Sequence, residues 1–211
     1  MKKDLILREL RSHAPFTALG TLGGILLLAG LSWGNLPLAA STGLFAILHP
    51  LHVLLSAQAT TATFRRAGGK GFWRILAIGY LGGVGIGTLS DCLIPYLGEW
   101  LMGLPNSGLH LGFIEEWWLV NPLAFIGIAL GAWRATTRIP HGLHVFISMG
   151  ASLFHIAMAL EGAPIGWLFA PIGVFLFLSV WLPCCTSDIV FPLLFAPGAD
   201  LPLGCCGHDH K

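Results

Sequence analysis

The sequence predicts an all-α membrane protein of six transmembrane helices, arranged as a 3+3 inverted-topology repeat. Three observations carry that expectation. Only 10% of the 211 residues are charged and 55% are hydrophobic, with a mean hydropathy of +0.78. A soluble domain carries about 25% charged residues, so too little charge is present to coat a water-soluble globule. The second observation is the asymmetry of the basic residues, and the third is a polar motif that occurs twice. The composition also excludes a disordered chain, a nucleic-acid binder and a disulfide-stapled secreted domain. The apolar runs are long and unalternating, which argues against an outer-membrane barrel.

Residues 1–14 are charged and amphipathic and are expected along the inner membrane surface. The spans follow at Pro15–Trp33, Ala40–Phe64, Ile75–Leu97, Trp117–Trp133, His141–Leu160 and Gly166–Leu182. Each approaches the ~20 apolar residues that a bilayer requires. No A-x-A cleavage site follows the first run, so it reads as a span and not as a leader. Residues 15–97 and 117–195 then form two three-helix repeats, joined by an outer loop at 98–116. A Cys/His tail closes the chain at 196–211.

With the N-terminus inside, the inner segments hold Lys2, Lys3, Arg8, Arg11, Arg65, Arg66, Lys70, Arg74, Arg134, Arg138 and Lys211, which is every basic residue. The outer segments carry Glu99, Glu115, Glu116 and Glu161 instead. This is the positive-inside pattern, and it places both termini in the cytoplasm of a multi-pass inner-membrane protein. Trp100, Trp117 and Trp118 suit an outer aromatic belt. The third span carries Gly79, Gly83 and Gly87 on one face, a small-residue stripe for close helix packing. The stripe also permits a homodimer.

The repeat is read from polar residues. His49–Ser56 is HPLHVLLS and His141–Ser148 is HGLHVFIS, identical at five of eight positions. Ser90–Pro95 is SDCLIP and Ser187–Pro192 is SDIVFP, in the same order and at similar separation. Each half holds an odd number of spans, so the halves sit in the bilayer with opposite orientation, the plan of many secondary transporters.

His49 and His52 share a helix face with Ser56, Thr60 and Thr63; His141, His144, Ser148, Ser152 and His155 do the same in the fifth span. His49 falls about 14 Å below the outer end of its span. Ionisable groups at such depth cost on the order of 2.5–3.5 kcal/mol each and mark pathways or sites. Asp91 and Asp188 each precede a proline by four residues, Pro95 and Pro192. Proline has no N–H to donate, so each Asp carbonyl loses its helical partner beside its own carboxylate.

Imidazole with carboxylate suits zinc, iron(II), manganese or nickel, and thiolates shift the preference toward zinc or copper(I). Two pseudo-symmetric metal sites are expected. The outer or central one comprises His49, His52 and Asp91, joined by Cys92 and His155. The inner one comprises His141, His144 and Asp188, joined by Cys184 or Cys185. His110, Glu115 and Glu116 are placed to collect cations at the outer mouth, and Cys205, Cys206, His208 and His210 read as a metal-binding tail.

The expected function is a transporter or permease for a divalent transition-metal ion, zinc or iron first, with coupling to protons because metal binding displaces them. The alternatives are an intramembrane metal-dependent hydrolase, or a proton-coupled transporter or channel for a small non-metal solute. Nucleophile elbow, phosphate loop, dinucleotide fingerprint and H-E-x-x-H are all absent from the sequence.

Overall fold

The computed structural model describes residues 2–33, 38–134, 140–160 and 166–197. Among them the chain is helical, without strands. We number the helices α1 (Lys2–Trp33), α2 (Leu38–Arg66), α3 (Phe72–Met102), α4 (Gly112–Glu115), α5 (Trp117–Trp133), α6 (Pro140–Leu160) and α7 (Gly166–Phe195). Five of these, α1, α2, α3, α6 and α7, are long and apolar enough to cross a membrane. The 17 residues of α5 rise only about 25 Å, short of a hydrocarbon core of about 30 Å.

Hydropathy placed several helix ends too early. α1 runs without a break through Pro15, so the expected surface segment and first span are one helix. Proline removes one backbone N–H there, a local loss that a long helix absorbs. α3 continues past Leu97 to Met102, where Gly103 takes the left-handed conformation (φ 64°). The Leu104 N–H then closes the helix on the Glu99 carbonyl at 3.0 Å. α7 runs on to Phe195 through a π-helical turn, Thr186–Val190.

The bundle is built around α2. Gly79, Gly83 and Gly87 of α3 lie against Thr61, Ala57 and Val53 of α2, so the small-residue stripe packs within this chain, in antiparallel register. α5 runs parallel to α2: a Cβ added at Gly127 would strike the Leu54 carbonyl oxygen, and one at Gly131 the Gln58 carbonyl oxygen. Only glycine admits that approach of backbone to backbone. On the other side α6 crosses α2 antiparallel, with Gly150 against Leu48. α7 packs on α1, where the Trp181 Nε1–H donates to the Leu10 carbonyl at 2.9 Å.

Between α2, α3, α6 and α7 lies a buried polar seam. Its walls are apolar clusters, one centred on Leu153, Ile156, Ile172 and Leu176, another on Phe45, Cys92, Phe154 and Met158. Arg65, Arg66 and Arg74 lie toward one end of the bundle, and the 103–116 loop closes the other.

Candidate functional site

Both Ser-Asp segments are wound as π-helix, Leu89–Leu93 in α3 and Thr186–Val190 in α7. Pro95 and Pro192 cannot supply the α-type bond to the Asp91 and Asp188 carbonyls, and the wider π turn is a local response that recurs at functional sites. Asp91 and Asp188 thereby face the seam from two helices, opposite the histidines of α2 and α6.

Asp91 Oδ2 lies 2.9 Å from His49 Nδ1 and 2.6 Å from His52 Nδ1, and its Oδ1 accepts from the Ser148 hydroxyl at 3.2 Å. Asp188 Oδ2 lies 2.8 Å from His144 Nδ1. A carboxylate only accepts, so these contacts hold the imidazole protons on Nδ1. The Nε2 atoms of His52 and His144 then present lone pairs, and they meet at 2.6 Å across the seam. The two rings are 4.6 Å apart and tilted by 30°.

Cys184, half a turn before the second π segment, completes the group. Its Sγ and the ligand nitrogens of His52 and His144 all lie within 4.8 Å of one another, and all three residues are buried. Cys184 Sγ also donates to Ser148 Oγ at 3.5 Å. Each imidazole has a carboxylate behind it and points its other nitrogen at a common centre, the arrangement by which outer-shell carboxylates orient metal-binding histidines.

Around this centre the hydroxyls pair across the seam. Ser56 of α2 lies 2.8 Å from Ser187 of α7, and Ser148 of α6 lies 2.9 Å from Ser90 of α3. The Thr60 hydroxyl donates to the Ser187 carbonyl at 3.1 Å, and the Ser152 hydroxyl to the Ser90 carbonyl at 3.2 Å.

The residues expected in two separate sites are therefore distributed differently. His52 and His144, one from each motif, meet in a single cluster with Cys184, while Asp91 and Asp188 stand behind them. His49 shares Asp91 but its Nε2 is buried without a hydrogen-bond partner. Cys92 packs with Phe45, Ala151, Phe154 and Met158, apart from the cluster. His155 pairs with Glu99, its Nδ1 at 2.6 Å from Glu99 Oε1. At the loop end His110 Nδ1 lies 3.3 Å from Glu115 Oε2. Glu116 is partly buried, and that burial raises its carboxyl above the ordinary glutamate range; neighbouring His49 opposes the shift and Glu115 adds to it. The side chains of His141 and Cys185 lie outside the described residues, as does the tail with Cys205, Cys206, His208 and His210.

Sequence reasoning missed Glu99. By sequence it reads as an outer-loop charge, yet it is 0% exposed within α3. The available signal was its spacing: Asp91, Pro95 and Glu99 recur every four residues, on one helix face. No family model, curated protein or solved structure matches this chain.

Proposed function

We propose that the chain is an integral membrane transporter for a divalent transition-metal ion, carried through the bundle on the His52, His144 and Cys184 cluster. One observation carries the reading: two imidazoles, each backed by a carboxylate, turn their Nε2 atoms toward a single point beside a thiol. Two nitrogens and one sulfur favour zinc over harder ions such as manganese. Three protein ligands leave a fourth position for water, or for the next ligand along a path. A tetrahedral zinc ion holds two nitrogens about 3.3 Å apart, so binding moves the His52 and His144 rings apart by roughly 0.7 Å.

A 3+3 inverted arrangement supports a conduit. Matching His52 with His144, Ser56 with Ser148, Ser90 with Ser187 and Thr60 with Ser152 turns two of the cross-seam hydroxyl contacts into two others, whereas Ser148–Asp91 has no observed counterpart. Ser56–Ser187 becomes Ser148–Ser90, and Thr60–Ser187 becomes Ser152–Ser90. The His52–His144 pair maps onto itself, on the pseudo-two-fold axis. A cation there is held by both halves, through His52 of the first and His144 and Cys184 of the second, in keeping with alternating access around a midplane site. The end bearing Arg65, Arg66 and Arg74 faces the cytoplasm under the positive-inside rule, with both termini there.

The test is zinc flux in proteoliposomes, comparing the wild type with His52→Ala and Asp188→Ala. Loss of flux in both variants, with the protein still inserted and monodisperse in detergent, supports the reading. Unchanged flux in both removes it.

A further inference from the structure

A second histidine–carboxylate unit lies away from the cluster. Glu99 of α3 and His155 of α6 are each about 1% exposed, with His155 Nδ1 held 2.6 Å from Glu99 Oε1. Neither His155 Nε2 nor Glu99 Oε2 has a hydrogen-bond partner, although both are fully buried. Leaving such atoms unsatisfied is costly in a low-dielectric interior. The unit repeats the chemistry of Asp91–His52 and Asp188–His144: a carboxylate fixes Nδ1 and leaves the Nε2 lone pair directed outward.

The residues packed on the His155 ring from the loop side are polar and half-exposed. The His110 ring packs edge-on against the His155 ring at 5.6 Å. His110 in turn contacts Glu115, and their side chains are 44% and 50% exposed. On the inner side Phe45 intervenes, stacked on His49 at 5.3 Å and edge-on to His155 at 5.3 Å. The buried unit thus lies between a half-exposed His110–Glu115 pair on the loop side and an aromatic ring on the side of the cluster.

We propose that Glu99 and His155 anchor a second divalent-cation site, closed over by His110 and Glu115 and gated from the cluster by Phe45. Its ligands are imidazole nitrogen and carboxylate oxygen only, a set suited to zinc, iron(II), manganese or nickel. The buried pair supplies the fixed ligands. The half-exposed pair swings onto the cation as it arrives and leaves with it. The site extends the transport reading with a loading station, yet its chemistry stands without the cluster.

The experiment counts bound metal in the full chain, with the tail donors removed by Cys205→Ser, Cys206→Ser, His208→Asn and His210→Asn. Zinc stoichiometry is measured by equilibrium dialysis and elemental analysis, and cobalt(II) replaces zinc for spectroscopy. A cation at the cluster has the Cys184 thiolate among its ligands and shows a sulfur-to-cobalt charge-transfer band; the parent also carries Cys92→Ser, so that the thiol packed on Phe45 cannot give one. The expected result is two cations in this parent protein. Glu99→Gln with His155→Asn reduces that to one and keeps the thiolate band. His52→Asn with His144→Asn abolishes the band and retains the other cation. His110→Asn with Glu115→Gln, on half-exposed side chains that folding does not need, weakens the band-less cation about tenfold. The proposal is overturned if the parent binds one cation and shows the band, or if Glu99→Gln with His155→Asn still binds two. If that variant does not fold, unchanged affinity in His110→Asn with Glu115→Gln overturns it. A parent that binds one cation without the band, lost on Glu99→Gln with His155→Asn, refutes the cluster as a metal site and leaves the second site standing.

Discussion

Asp188→Asn isolates the role of charge behind a proposed metal ligand, His144. Asn has the shape of Asp, and its side-chain oxygen still accepts from the His144 Nδ1–H at the 2.8 Å the carboxylate now holds. The His144 contact and tautomer are preserved, and the negative charge is replaced by a neutral amide. Removing an outer-shell carboxylate of this kind costs about 10–100-fold in metal affinity. That corresponds to about 1.4–2.7 kcal/mol. Asp91 receives His49, His52 and Ser148, so its replacement disturbs three partners at once. The assay is zinc competition against a chromogenic chelator in detergent, on the wild type, Asp188→Asn, His144→Ala and the double variant. If Asp188 acts through His144, the cost of Asp188→Asn vanishes once His144 is gone, a non-additivity of the full effect. A cost that persists undiminished in the His144→Ala background refutes the reasoning, as does an Asp188→Asn protein whose affinity equals that of the wild type while His144→Ala binds poorly.

The remaining predictions address the ion, the proton and the packing. Cys184→Ser replaces a soft ligand by a hard one while keeping both nitrogens, so cadmium affinity falls by about tenfold more than manganese affinity in parallel titrations. Metal binding requires deprotonated ligands, so affinity falls as pH falls; displacement of two protons lowers it about a hundredfold per pH unit, read from binding isotherms at several pH values. A slope of zero shows that the ligands release no protons. Gly127→Ala sets a methyl against the Leu54 carbonyl oxygen, where backbone cannot yield, whereas Gly43→Ala meets nothing within 4 Å. The first lowers stability by about 1–3 kcal/mol in thermal melts and the second leaves it nearly unchanged.

Much of the helical framework was legible because length and apolarity alone set it. What hydropathy misplaced were the ends, and for one reason: a window stops at a charge whether or not the backbone does. Glu99 ended the third span on paper, yet it lies inside α3 with its charge turned onto His155. The repeated H-x-x-H and S-D-x-x-x-P motifs lie on the helices that line the seam. They were silent on how those helices rotate about their axes. His49 and His52 share a face, but only His52 reaches across to α6, and that choice depends on the interhelical angle, which no local spacing encodes. Phe45 carried no signal, being one apolar residue among many, until its neighbours proved to be histidines on two sides.

The His52–His144 contact sets a constraint on any transport cycle. With Nδ1 of each ring committed to a carboxylate, the two Nε2 lone pairs oppose one another at 2.6 Å and repel unless something positive is shared between them. A proton satisfies the pair by binding one nitrogen and donating to the other. A metal ion satisfies it by taking both lone pairs at once. The two occupants cannot coexist, because the proton uses the electrons the metal needs. Under the metal reading, each cation that enters the cluster therefore expels at least one proton, and each that leaves readmits one. Exchange follows from the geometry of a single nitrogen pair, without any separate proton-binding residue. An imposed pH gradient, acid on the destination side, then drives zinc across proteoliposomes against its own gradient. In Cys184→Ser, which leaves the nitrogen pair intact, weaker zinc binding still couples to the gradient. If the gradient drives zinc in the wild type and not in Cys184→Ser, the expelled proton comes from the thiol and the exchange argument for the imidazoles fails.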